Sequence, residues 1–222
     1  MKIKSLYQNA FLERIFKTHL YLLKRELAEM NSVLDLGCGP NSPLQNCPGI
    51  QYSLGVDAFS PYLERSREKN IHNDYLLQNI KDLKFDENSF EAVLLLDVLE
   101  HLPKEEGLAM LGKAQRWAKN KVIVSTPNGF IKQPSVDKNP LQKHLSGWTV
   151  KDFKNLGFSV RGLAGLRFLR KAKEEGDSMD DDILVSMKYK PRLFWFFIAV
   201  LSQTITYFWP KKAFGLFCVK DL

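Results

Sequence analysis

The sequence predicts an α/β chain in which a largely parallel sheet lies between two layers of helices. Three observations predict it. Short apolar runs recur along the 222 residues, several of them ending in glycine or an acid. Segments of helical periodicity separate them. The first run opens into a turn bearing Gly37 and Gly39. Strands alternating with helices in this way imply right-handed βαβ units, whose loops gather on the carboxyl rim of the sheet, where ligands bind.

The elements follow in order. Residues 5–29 place Leu12, Ile15, Phe16, Leu20, Leu23 and Leu27 at helical spacing and predict an amphipathic helix. Charges interrupt its apolar positions, so it lacks the continuous apolar core of a signal peptide. Residues 32–36 and 52–57 read as short buried strands, and Ser60 and Pro61 as the cap and first position of a helix. Residues 74–78 suggest a third strand, and 91–97 give the strongest strand signal. A helix runs from after Pro103 to about Trp117, and 121–126 form the next strand. A short helix beginning at Thr149 stops at Gly157, before strand-like residues 158–160. The charged stretch 167–182 reads as an exposed loop or helix. An apolar helical insertion at about 191–210 precedes a last strand at 213–219, and residues 1–222 make one domain.

Composition sets limits. With 45% hydrophobic and 26% charged residues the chain is globular rather than disordered. A net charge of +7 suits an acidic partner, whether a phosphorylated substrate, a nucleic acid or an anionic membrane. Cys38, Cys47 and Cys218 form no CxxC pair, and no His/Cys cluster has zinc-ligand spacing, so no metal site is expected. An odd number of widely spaced thiols fits a reducing compartment, which makes the cytoplasm the expected location.

The chemistry concentrates after the first strand. Gly37 and Gly39 let the backbone turn sharply and approach a ligand. Ser42 stands where a dinucleotide fingerprint has its third glycine, which argues against a nicotinamide or flavin. Asp57 ends the second strand, where a carboxylate can accept from both hydroxyls of a ribose.

Residues 33–40 (VLDLGCGP) resemble motif I of the class I S-adenosylmethionine-dependent methyltransferases, of the type 11 and quinol O-methyltransferase-like kind. Residues 54–57 resemble the ribose-binding strand that follows it, 80–85 the adenine segment, and 89–102 the fourth motif, all in family order. The resemblance implies a Rossmann-like three-layer sandwich with a seven-stranded, mostly parallel sheet and an antiparallel last strand. It implies S-adenosyl-L-methionine as cofactor. Asp35, Gly37, Cys38 and Gly39 would hold the methionine end, Asp57 and Ala58 the ribose, Asn79 and Ile80 the adenine, and Asp97 would lie near the methyl group. Asn79 replaces the acid common at that point; its side-chain carbonyl can still accept from an amino group. His101 is a candidate base, Glu100 would orient it, and His144 is a second candidate in a later loop. His19 reads as a packing or surface residue, and His72 has no supporting context.

The fourth motif lacks the Asn/Asp-Pro-Pro-aromatic pattern of many enzymes that methylate amino groups, and basic residues are interleaved with acids. Both argue against nucleic acid and for an oxygen acceptor on a small molecule, glycan or lipid-linked carrier. Residues 193–209 predict a helix packed on the domain or on a partner subunit such as a second copy, then a surface for peripheral membrane contact, and last a membrane span. An alternative makes the chain a catalytically inactive scaffold or partner subunit that binds the same cofactor.

Overall fold

A computed structural model describes residues 14–172, 174, 177–178 and 183–222. The sheet is built from strands β1 (Ser32–Leu36), β2 (Tyr52–Asp57), β3 (Asp74–Leu77), β4 (Phe90–Leu96), β5 (Ala118–Pro127), β6 (Ser159–Leu166) and β7 (Ala213–Asp221). Their order across the sheet is β3-β2-β1-β4-β5-β7-β6. β1 pairs in parallel with β2 and β4, and β7 runs antiparallel between β5 and β6. The expected seven-stranded Rossmann-like sheet with an antiparallel last strand is the one observed.

Period-two alternation feeds two cores. Leu34, Leu36, Val93, Leu95, Val122 and Val124 face one side, where they meet Met110, Leu111, Ala114 and Trp117 of helix α3 (Lys104–Trp117). Phe153 of helix α4 (Val150–Asn155) joins the same cluster. Val33, Ala92, Leu94 and Ile123 face the other side, against Leu22, Leu23 and Leu27 of helix α1 (His19–Leu27). Helix α2 (Ser60–Glu68) links β2 and β3, and helix α5 (Arg192–Thr206) precedes β7.

Three expectations are corrected. The N-terminal helix of 5–29 is interrupted: residues 5–13 lie outside the described residues, and a helical turn at 14–16 ends at Lys17, whose φ is 48°. Thr18 then caps α1 by accepting from the Tyr21 amide at 3.2 Å. Ser60 is the first helical residue and Phe59 occupies the cap, because Phe59 is itself fixed by its amide donating to Asp57. The stretch after 167 is not uniformly exposed, since Leu169 and Arg170 are buried. Arg170 donates to the Ala164 carbonyl at 2.6 Å and to the Ser186 hydroxyl at 2.7 Å.

α4 carries the capping box Thr149–Asp152 and stops at Gly157, with φ 83°, as the sequence predicts. β6 extends past residue 160 to Leu166. A bulge at Ala164 and Gly165 bends it, and α5 lies against it so closely that a Cβ on Gly162 would stand 2.1 Å from the Thr206 carbonyl oxygen. Gln203 of α5 bridges the bulge, donating to the Gly162 carbonyl and accepting from the Gly165 amide, both at 2.9 Å.

Candidate functional site

The carboxyl rim of the sheet surrounds a cavity of about 990 Å³. β1 delivers Asp35 and the turn after it. Gly37 and Gly39 have φ of 67° and 58°, the left-handed region that favours glycine. A Cβ on Gly37 would meet a Val98 methyl at 2.7 Å, whereas one on Gly39 would meet nothing within 4 Å. Gly37 is thus required by packing, and Gly39 leaves open space beside the backbone.

Asp35 is 1% exposed and accepts from the Ser42 hydroxyl at 2.5 Å. Burial pushes its carboxyl up to about 7, against the Ser42 hydrogen bond, and Asp57 adds to the rise. Ser42 also accepts from the Leu44 amide, so the residue in the place of a third glycine braces the turn. Asp57, at the end of β2, accepts from the Gly39 amide at 2.9 Å and the Phe59 amide at 2.8 Å. Burial raises its pKa, and these amides oppose the rise. Each oxygen keeps acceptor capacity for a further donor. Asn79 uses its side-chain oxygen to cap the Lys81 amide at 3.0 Å, which leaves its amide nitrogen as well as a second lone pair for a ligand. Asp97, just past β4, has φ 56°; its amide donates to the Ser125 carbonyl and its carboxylate accepts from the Ser125 hydroxyl.

Beyond Asp97, Glu100 and His101 sit in a single 3-10 turn. The loop between β5 and α4 brings His144 beside them, with the two imidazole centroids 4.9 Å apart. The loop is laced to the turn: Leu145 and Ser146 amides donate to the Glu100 carbonyl, and the Ser146 hydroxyl and Trp148 indole donate to the Leu99 carbonyl. Trp148 is fully buried, and Lys104 lies 3.7 Å from its ring centroid. Burial and then His144 push His101 down to about 4, so it is neutral at neutral pH with one ring nitrogen free to accept. Burial also lowers His144. Burial and the nearby Asp97 hold the Glu100 carboxyl well above its ordinary range, although the Thr126 hydroxyl donates to it at 2.9 Å.

All twelve residues singled out in the sequence line this one cavity: Asp35, Gly37, Cys38, Gly39, Asp57, Ala58, Asn79, Ile80, Asp97, Glu100, His101 and His144. The sequence reading missed His19, Gln133 and Arg170, which line it too. Helical spacing located His19 on α1 but gave no signal that α1 reaches the cavity. Arg170 was hidden in a charged stretch that read as solvated. The spacing of ligand-type residues also gave no metal cluster, yet Glu100, His101 and His144 each offer a ligand atom within 4.8 Å of the other two.

Residues 34–125 match the methyltransferase-domain family model. That stretch is similar to a methyltransferase domain, and with the motif-like residues 33–40, 54–57 and 89–102 it supports the S-adenosylmethionine-dependent class. An uncharacterized protein of Methanocaldococcus jannaschii is 32% identical over 158 residues, 67% of this chain and 64% of that protein. The chain thus spans a little under two thirds of that relative's length. Among solved structures, an S-adenosylmethionine-dependent methyltransferase from Archaeoglobus fulgidus is 16% identical with a TM-score of 0.55, covering 97% of this chain and all (100%) of that one. The plantazolicin methyltransferase BpumL, solved with S-adenosylhomocysteine, is 14% identical with a TM-score of 0.52, covering 99% and 88%. These two show the fold. The resemblance of residues 33–40 would seat S-adenosylmethionine on the β1 turn, and the residues there are compatible with it: the space beside Gly39 is open, and the buried Asp35 on the cavity wall makes no lysine or arginine ion pair among the described residues.

Proposed function

We propose that this protein transfers a methyl group from S-adenosylmethionine to a hydroxyl oxygen of a small-molecule, glycan or lipid-linked acceptor. One observation carries the reading. The glycine turn, the carboxylates of Asp35 and Asp57, and two histidines with their Nδ1 atoms already engaged all face one cavity. The cofactor supplies a methyl carbon activated by its sulfonium, so aligning the acceptor can account for up to ~7–11 kcal/mol of the barrier. Asp35 would receive the ammonium of the methionine end, and Asp57 the ribose hydroxyls. His101 and His144, neutral and with Nδ1–H donated to the Lys143 and Ile131 carbonyls, offer Nε2 as acceptors for a hydroxyl proton. Calorimetry with S-adenosylhomocysteine, paired with a methyl-transfer screen over hydroxylated acceptors, tests this. Failure to bind either form of the cofactor overturns it, and binding with no transfer to any acceptor favours a scaffold.

The acceptor class draws support from α5. Leu193, Phe197, Leu201 and Ile205 form an exposed stripe that Phe208 (74% exposed) and Trp209 (64%) continue. Exposed Lys188, Lys190 and Arg192 lie before it and Lys211 and Lys212 after it, with no acid from Met187 to Lys212. An apolar face edged by cations suits an anionic lipid surface, with the helix lying in the interface. Among the described residues no helix is long and apolar enough to cross a membrane. Flotation with vesicles containing phosphatidylglycerol should carry the chain upward, whereas neutral vesicles should not. A stable dimer that ignores vesicles would assign the face to a second copy instead.

A further inference from the structure

We infer that His72 is a positioning residue of the cofactor site: its imidazole N–H donates to Asp35 once the ammonium of S-adenosylmethionine rests on that carboxylate, and so sets affinity for the amino-acid end. The inference depends on the cofactor reading above. It adds a residue that touches no ligand, since His72 does not line the cavity whereas Asp35 does. Asp35 Oδ2 accepts from the Ser42 hydroxyl and lies 3.6 Å from His72 Nε2. Both protein groups converge on one oxygen, and among the described residues no hydrogen bond reaches Oδ1. A ligand's ammonium can take Oδ1 while the protein holds Oδ2.

The sheet is built to let the imidazole through. His72 precedes β3, Asp35 belongs to β1, and β2 runs between these strands. The β2 residue in register with Asp35 is Gly55, and a Cβ there would stand 2.4 Å from His72 Cδ2. Gly55 is not among the glycines with positive φ, so its missing side chain, not its backbone freedom, is what the site uses. The backbone of His72 is pinned as well. Its amide donates to the Tyr75 hydroxyl at 2.8 Å, which donates to the Ser66 carbonyl at 3.0 Å, and the two rings meet edge to face at 5.5 Å.

In the ligand-free chain the polarity of this ring only costs free energy. Its side chain is fully buried, and neither Nδ1 nor Nε2 has a hydrogen-bond partner among the described residues. An aliphatic side chain would fill the same space without stranding two polar atoms. The ring's nitrogens gain a purpose in the liganded state. Burial keeps His72 neutral, so one nitrogen carries a proton, and Nε2 is the one that faces an acceptor. An ammonium on Oδ1 favours the ionised carboxylate, and a hydrogen bond to an ionised acceptor is shorter and stronger than one to a neutral acceptor. Closing the 3.6 Å gap to ~2.9 Å takes a shift of about 0.7 Å.

The test is calorimetry of the full chain with two ligands: S-adenosylhomocysteine, and methylthioadenosine, the same nucleoside cut short of the amino acid. His72→Leu should weaken S-adenosylhomocysteine at least ~10-fold and leave methylthioadenosine unchanged. His72→Gln, whose side-chain amide can donate, should regain most of the loss. In an Asp35→Asn background His72→Leu should cost no further affinity, because the effect passes through that carboxylate. Thermal unfolding shows whether each variant is folded, and His72→Phe takes the place of His72→Leu if the latter is not. Equal losses for both ligands, no loss for either, or an effect that persists beside Asp35→Asn overturns the role of His72 alone. A parent chain that binds neither S-adenosylhomocysteine nor S-adenosylmethionine overturns the methyl-transfer reading and this inference together.

Discussion

His72 Nε2 lies 3.6 Å from an Asp35 carboxylate oxygen, with Asp35 on the cavity wall and the imidazole packed behind it against Gly55. The pair is not an ion pair at neutral pH. Burial pushes His72 down to about 4 and Asp35 up to about 7. Each group loses more on leaving water than its partner returns.

This has a signed consequence for stability. An unfolded aspartate titrates near ~3.9, whereas folded Asp35 titrates near 7, so the folded state holds the extra proton between these values. Asp35 therefore makes the ligand-free protein lose stability as pH rises from about 4 to 7, with no further loss above. Asp35→Asn should match the parent near pH 4 and exceed it above pH 7, by up to roughly 4 kcal/mol. Denaturant unfolding at several pH values gives the difference, in which the His72 contribution common to both proteins cancels. A difference that does not change with pH would reject the assignment.

Asp57→Ala removes the acceptor for the Gly39 and Phe59 amides as well as the proposed ribose contact. Affinity for S-adenosylhomocysteine should fall by about 1.5–3 kcal/mol. Methylthioadenosine, which keeps the ribose but lacks the amino-acid end, should suffer the same loss. An unchanged affinity for both would remove Asp57 from the site.

Two glycines of α3 should respond oppositely to alanine. A Cβ on Gly112 meets nothing within 4 Å, so Gly112→Ala should stabilise by about 0.8–1 kcal/mol through helix propensity. A Cβ on Gly107 would stand 2.5 Å from Trp148, which is fully buried and cannot swing away. Overpacking costs about 1–3 kcal/mol and exceeds the propensity gain, so Gly107→Ala should destabilise. Thermal unfolding of the two variants checks the signs.

Phe197 and Leu201 are 51% and 57% exposed, so Phe197→Asp/Leu201→Asp should leave unfolding unchanged within about 0.5 kcal/mol. The same variant should lose flotation with phosphatidylglycerol vesicles. Retained flotation would place the lipid contact elsewhere.

Much of the fold was legible in the residues. Strands 32–36 and 52–57 were bounded correctly, because a buried parallel strand is a short apolar run and the glycine turn or acid marks its end. The rim residues were legible for the same reason: strand ends fix where Asp35, Asp57 and Asp97 emerge. What escaped depended on contacts between distant segments. β6 runs on to Leu166 although Gly162 and Gly165 weaken the strand pattern, since these glycines answer to the backbone of α5. Ser42 read only as a missing glycine, and its bond to Asp35 needed the turn closed in space.

The bridge made by Gln203 joins two environments. Its amide fastens α5 to the β6 bulge, and the same residue lines the cavity, while Leu201 and Ile205 on the helix's outer side meet the surroundings. One helix, ~10 Å across, is all that separates the two. The helix cannot shift without moving Gln203 and the bulge with it.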